Sequence, residues 1–169
     1  DLSEGSKNVP TKVFLHGDIK LLFNNLPSSV TPKNTEWRKK WYNHLDALRI
    51  KYPLRIPNGE AFTMPFVLNT LNKKTKEGII VATDVGQHQM WAGQYLKKML
   101  PDSFITSGGL GSMGFGLPAA MGAQAAQPNK EGWCISGDGS FLMNIQELIT
   151  LVQEKWPVKI MLLDNEYLG

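Results

Sequence analysis

The chain has 169 residues, 42% hydrophobic and 20% charged, with a formal net charge of +3 and one cysteine. That composition is that of an ordinary globular protein long enough for one domain with its own core. The charge is too small to argue for nucleic acid, a single cysteine excludes an internal disulfide or a cysteine-built metal site, and no apolar stretch reaches the length of a membrane span.

Residues 1–26 read as a small unit: a short strand at Lys12-Val13-Phe14-Leu15, a turn at Gly17-Asp18, and a helix from Ile19 to Leu26. In that helix Ile19, Leu22, Phe23 and Leu26 share one face. The unit is too short to stand alone and is expected to be the tail of a preceding domain. Residues 27–34, Pro-Ser-Ser-Val-Thr-Pro-Lys-Asn from 27 onward, have linker composition. No signal peptide opens the chain. Residue 1 is not Met, and Gly169 follows directly on a strand and a turn, so a fragment of a longer polypeptide is expected.

Residues 35–169 form the second expected domain. Thr35 to Ile50 has Trp37, Trp41, Leu45 and Leu48 at helical spacing, a stripe for a core or an interface. A second helix is expected near 60–72. Strands and helices then alternate: a strand at 78–83, a helix over about 87–99, a strand at 104–106, and a small-residue helix to about 126. A strand at 133–136 follows, then a helix over about 145–155 and a last strand at 158–163. Asn144, with Glu147 three residues on, is placed to cap the helix near 145. Cys134 sits in an apolar run as a small core residue, which fits a reducing compartment. The clusters Arg38-Lys39-Lys40, Lys73-Lys74-Lys76 and Lys97-Lys98 read as solvated helix faces and ends. Continuous apolar strands alternating with helices imply an α/β fold, a mostly parallel sheet with helices on both faces.

Ligands of such sheets bind at the carboxyl ends of the strands. The four ends here carry Asp84-Val-Gly-Gln-His88, Ser107-Gly-Gly-Leu-Gly-Ser-Met-Gly114, Gly137-Asp-Gly-Ser140 and Asp164-Asn-Glu-Tyr167. Glycines with short oxygen-bearing side chains suit a phosphate and a hard cation. If the last two strands are neighbours, about 4.8 Å apart, Asp138 and Asn165 emerge at one edge. A carboxylate, an amide oxygen and a backbone carbonyl there suit magnesium, which keeps room for phosphate oxygens. Gly139 and Ser140 offer backbone N–H groups to the phosphates, and Ser140 a hydroxyl. His88, just past a strand end beside Gly86 and Gln87, is a candidate phosphate contact. Asp-Gly after a strand is by itself most often a plain turn, so the pairing with Asn165 carries the reading.

Gly137-Asp138-Gly139, with Asn165 27 residues after Asp138, resembles the thiamine-diphosphate/magnesium motif, with Asp164-Asn165 where the family usually has Asn-Asn. Val85-Gly-Gln-His-Gln-Met-Trp91 and Thr106-Ser-Gly-Gly-Leu-Gly-Ser-Met-Gly-Phe-Gly-Leu-Pro-Ala-Ala120 resemble acetohydroxyacid (acetolactate) synthase large subunits. So do Phe141-Leu-Met-Asn-Ile-Gln-Glu-Leu148 and Asn165-Glu-Tyr-Leu-Gly169, and residues 7–20 resemble the end of that family's central domain.

The resemblance implies a truncated thiamine-diphosphate-binding fold from an enzyme that decarboxylates pyruvate and joins the two-carbon unit to a second 2-oxo acid, giving acetolactate or acetohydroxybutyrate. It implies Asp138, Asn165 and the Tyr167 carbonyl as magnesium ligands. Gln87, His88, Gly111, Gly137, Gly139, Ser140 and Asn165 become cofactor contacts, and Met113 a wedge under the bend between the two cofactor rings. Gly17 and Asp18 match positions that touch FAD, a cofactor of the full-length parent. The family's catalytic glutamate has no counterpart here, so the chain alone is expected to be inactive.

Implied partners are small 2-oxo acids, a second copy in a homodimer or tetramer with a shared active site, and a regulatory small subunit, with neither nucleic acid nor membrane. The implied location is the cytoplasm in a bacterium or an organelle in a eukaryote. Alternatives within the superfamily are a pyruvate oxidase, a 2-oxo acid decarboxylase or glyoxylate carboligase. Outside it stand a nucleotide-binding oxidoreductase domain, suggested by the 107–114 glycine loop, and a non-catalytic domain that kept the fold.

Overall fold

The computed structural model describes residues 2–27, 35–55, 62–97 and 100–167. It divides into two compact units, residues 1–53 and 54–169.

The first unit holds a 3-10 turn at Leu2–Glu4, helix α1 (Ile19–Asn24) and helix α2 (Glu36–Lys51). The strand expected at Lys12–Leu15 does not form. A strand needs a partner for its backbone groups, and all the sheet pairings of the described residues lie in the second unit. Helix α2 follows the expected span, but its stripe is not a core within its unit: Trp37 and Trp41 are exposed. Of the expected linker at 27–34, residues 28–34 lie outside the described residues.

In the second unit, helix α3 (Met64–Lys74) begins where Thr63 caps it, the Thr63 hydroxyl accepting from Phe66 N–H at 3.4 Å, with Pro65 in the first turn. The part of its expected span at 60–61 lies outside the described residues. Four strands follow: β1 (Ile80–Thr83), β2 (Phe104–Thr106), β3 (Gly132–Gly137) and β4 (Lys159–Leu163). They form one parallel sheet in the order β2-β1-β3-β4. Helix α4 (Gln87–Tyr95) joins β1 to β2, and helix α5 (Gly116–Ala126) joins β2 to β3. Helix α4 stops at Tyr95, short of the expected 99. Between β3 and β4 lie a short helix α6 (Asp138–Leu142), a 3-10 turn at Ile145–Glu147 and helix α7 (Leu148–Glu154).

Every residue of β1 is buried because helices cover both faces. On one face Val81, Ile135 and Leu163 pack with Leu68 and Leu71 of α3 and with Ala92 and Tyr95 of α4. On the other, Ala82 and Cys134 pack with Leu117, Ala120 and Met121 of α5 and Leu151 of α7. Alternate residues of a strand point to opposite faces, so the neighbours Val81 and Ala82 serve different cores. A buried Asn72 fastens α3 to the end of α4: its amide donates to the Tyr95 carbonyl at 2.7 Å, and its oxygen accepts from Lys97 N–H at 2.8 Å.

From β1 the chain moves one way to β2, then crosses back to β3 on the other side. That places the topological switch between β1 and β3, where the connections diverge and leave a crevice beyond the strand ends.

Cys134 is wholly buried, and burial pushes its thiol up to about 12. Its labelling by a thiol reagent at pH 8 should therefore be slow in the folded protein and become fast across the denaturant unfolding transition. Rapid labelling without denaturant would contradict the packing described for β3.

Candidate functional site

The crevice at the switch point is a cavity of about 260 Å³ lined by the ends of β1, β3 and β4 and by the loop before α5. Gln87, His88, Met113, Gly137, Asp138, Gly139, Ser140, Asn165 and Tyr167 all line it. Residues far apart in sequence meet there because Gly137 is in register with Leu163. Asp138 and Asn165 thus leave adjacent strands at one edge, as the sequence predicts.

At the β4 end, Asn165 Oδ1 accepts from Tyr167 N–H at 3.3 Å, and Asp164 Oδ1 accepts from Glu166 N–H at 2.9 Å. Glu166 has φ 59°, so the chain turns sharply here. The Tyr167 side chain is exposed. No cluster of three His, Cys, Asp or Glu side chains suited to a metal occurs among the described residues. A cation here would meet one carboxylate and neutral oxygens, a donor set that suits magnesium with phosphate oxygens filling the remaining positions.

His88 is 4% exposed and lies between two glycines. A Cβ on Gly86, whose φ is 148°, would come within 2.9 Å of the imidazole, and one on Gly137 within 3.0 Å. Burial lowers the His88 pKa against the opposing influences of the Asp84 charge, a hydrogen bond to the Asp84 backbone and the Asp138 charge. Its Nε2 is buried without a partner among the described residues. Such an orphan is costly, and it belongs to a residue that lines the cavity.

Several of the residues singled out in the sequence have other partners or surroundings in the structure. The Ser140 hydroxyl donates to the Val85 carbonyl at 2.8 Å, so its proton holds the β3 end to the β1 end instead of facing a ligand. The capping box at Asn144 and Glu147 does not form. The Asn144 amide donates to the Gly114 carbonyl, and Glu147 accepts from the Thr150 hydroxyl at 3.3 Å. The tertiary contact wins because Gly114, with φ 84°, presents its carbonyl to a side chain that a local cap would leave exposed. Gly111, with φ 64°, is exposed and does not line the cavity. In the first unit, Asp18 caps α1, its Oδ1 accepting from Leu21 N–H at 3.1 Å, and Gly17 lies in the bend before it.

The residue that sequence reasoning passed over is Asp84, 1% exposed at the end of β1. Its Oδ1 accepts from Val85 and Gly114 N–H, each at 2.8 Å, and its Oδ2 from Gly116 N–H at 2.9 Å. Helix α5 has no side-chain cap of its own, so Asp84 supplies one from another strand. The signal available was an acidic residue ending a buried strand opposite a glycine-rich helix start. Since a carboxylate already occupies the start of α5, the dinucleotide-loop alternative loses its anion site. Gln89 also went unread. Its amide donates to Thr106 Oγ1 at 2.7 Å and to the Ser107 carbonyl at 3.3 Å, tying down the β2 end.

Residues 84–169 match the family model described as the thiamine pyrophosphate enzyme, C-terminal TPP binding domain. The chain belongs to that family of thiamine-diphosphate enzymes. Within it, the whole chain is 46% identical to the acetolactate synthase isozyme 2 large subunit of Escherichia coli (strain K12). It is 44% identical to acetolactate synthase 2, chloroplastic, of Nicotiana tabacum and 41% to acetolactate synthase, chloroplastic, of Arabidopsis thaliana. It covers 30% of the bacterial relative and 26% of each plant one, so it spans less than a third of their length.

Gly116 and Gly122, both in α5, make a paired test. A Cβ on Gly116 would lie 2.7 Å from the Asp84 backbone nitrogen, whereas nothing lies within 4 Å of one on Gly122. Gly116→Ala should destabilise by about 1–3 kcal/mol, and Gly122→Ala should stabilise by roughly 0.5–1 kcal/mol, in urea unfolding. Equal effects would mean that Asp84 does not seat the helix.

Proposed function

We propose that the chain is the diphosphate- and magnesium-holding part of an enzyme that decarboxylates pyruvate and condenses the two-carbon unit with a second 2-oxo acid, giving acetolactate or acetohydroxybutyrate. The observation that carries the proposal is the meeting of Asp138, Asn165 and Tyr167 with His88 in one cavity at the β1/β3 switch. The relatives are named acetolactate synthases, which supports acetolactate as the product.

Asp138 supplies the negative charge of the cation site, and the side-chain oxygen of Asn165 and the carbonyl of Tyr167 complete the protein's share. His88 and Gln87, which line the cavity, and the backbone N–H groups of Gly139 and Ser140 are the contacts for the phosphate oxygens. Glycine at 137 leaves space for the imidazole beside them. Met113, also in the cavity lining, would support the bend between the cofactor rings. Thiamine diphosphate, when bound, supplies the carbanion chemistry, while the protein contributes position and electrostatics.

The finer attributes of the full-length polypeptide belong to the same proposal. They are FAD bound in part through Gly17 and Asp18, a homodimer or tetramer sharing its active site, a regulatory small subunit and a role in branched-chain amino acid biosynthesis. No helix among the described residues is long and apolar enough to cross a membrane. The proposed location is the cytoplasm for a bacterial source and an organelle for a eukaryotic one, in keeping with the plant relatives named chloroplastic.

In the full-length enzyme, Asp138→Ala should weaken thiamine-diphosphate binding at limiting magnesium by at least the roughly 10–100-fold that loss of a supporting group around a metal costs. Asn165→Ala should weaken it less, because a neutral ligand is lost. Calorimetric titration with magnesium held limiting checks both. Equal affinity in wild type and Asp138→Ala would sink the proposal.

A further inference from the structure

We propose that Asp84 and Asn144 are positioning residues that grip the Gly114 peptide from both sides and thereby fix Met113 against the cavity. The inference rests on the reading of that cavity as a thiamine-diphosphate site.

Methionine has three rotatable side-chain bonds and no branch to restrain it. The loop around Met113 offers little packing: Leu110 is 94% exposed, and Gly111 and Ser112 are exposed as well. Whatever holds Met113 in place must act on the backbone next to it. The Gly114 N–H donates to Asp84 Oδ1 at 2.8 Å, and the Gly114 carbonyl accepts from the Asn144 amide. Both polar groups of the residue after Met113 are therefore taken up by side chains from other elements. The grip also explains the glycine. A Cβ at 114 would lie 2.8 Å from Asn144 Nδ2 and 3.1 Å from Met143 Cβ, in a backbone conformation with φ 84°.

The two holders carry different information. Asp84 is fixed by the sheet, its N–H donating to the Ile135 carbonyl of β3 at 2.8 Å. Asn144 lies just past α6, the helix that begins at Asp138. Met113 is thus referenced both to the sheet and to the segment that carries the cation and phosphate contacts. A displacement on the order of 1 Å at such a site can cost about 100-fold in rate.

The test uses the full-length enzyme with Asn144→Ala, Asn144→Asp, Met113→Ala and the Asn144→Ala/Met113→Ala pair. Four quantities are read: thiamine-diphosphate affinity, thermal midpoint of the cofactor-free protein, hydrogen exchange at the thiazolium carbon, and turnover. Asn144→Ala should slow exchange and turnover by about tenfold or more and leave affinity nearly unchanged. Asn144→Asp keeps the side-chain size but sets an oxygen against the Gly114 carbonyl, and should be at least as harmful. In the Met113→Ala background, Asn144→Ala should add no more than about twofold, because the residue it positions is gone.

Normal exchange with a lowered midpoint, multiplicative effects in the double variant, or failure of both Asn144 variants to fold would each assign Asn144 a merely structural role and overturn the inference. A wild-type enzyme that binds no thiamine diphosphate would overturn the reading of the cavity itself. Binding with unaltered exchange in the Asn144 variants would overturn the positioning role alone.

Discussion

The second unit is organised around a carboxylate in its interior. Asp84 is almost completely buried, and a buried charge is costly unless its oxygens are matched by donors. Three backbone N–H groups match them, from Val85, Gly114 and Gly116. They belong to the turn after β1 and to the start of α5, so satisfying one side chain fixes the geometry between a central strand and the helix that crosses the sheet. The N-terminal end of α5 is electropositive, which adds to the match. The glycines at 114 and 116 follow from this contact, since side chains there would collide with Asn144 and with Asp84.

The cavity beyond Asp84 divides its tasks among three strand ends. The β1 end gives His88, with a buried nitrogen left without a partner among the described residues. The β3 end gives Asp138 and is latched to the β1 end by the Ser140 hydroxyl. The β4 end gives Asn165 and Tyr167. On the proposed reading, a single carboxylate among neutral oxygens would leave a cation partly uncompensated, ready for phosphate. Burial keeps His88 toward its neutral form, in which the ring has one donor and one acceptor nitrogen.

The misreadings share a cause. Lys12–Leu15 has strand composition but no strand partner among the described residues of its unit, and of the core-or-interface reading of the Trp37–Trp41 stripe the core half fails there, since both side chains are exposed. Asn144 and Glu147 fit a local capping pattern, yet the Asn144 amide finds a carbonyl thirty residues away in sequence. In each case a local rule was obeyed by the residue types, and a longer-range partner, present or absent, decided the outcome.

Periodicity and composition determined the α/β class, the four strands of the second unit and most of its helix positions. The pairing of Asp138 with Asn165 was also legible, because alternating strands and helices force parallel strands whose carboxyl ends share one edge. The strand order was not legible. It puts β1 between β2 and β3, which creates the crevice and brings His88 against Gly137. Nor were the roles of Asp84 and Asn144, since a hydrogen bond across thirty residues leaves no period in the chain. Only packing both faces of the sheet brings those groups within reach of Gly114, and so only the tertiary structure decides where Met113 stands.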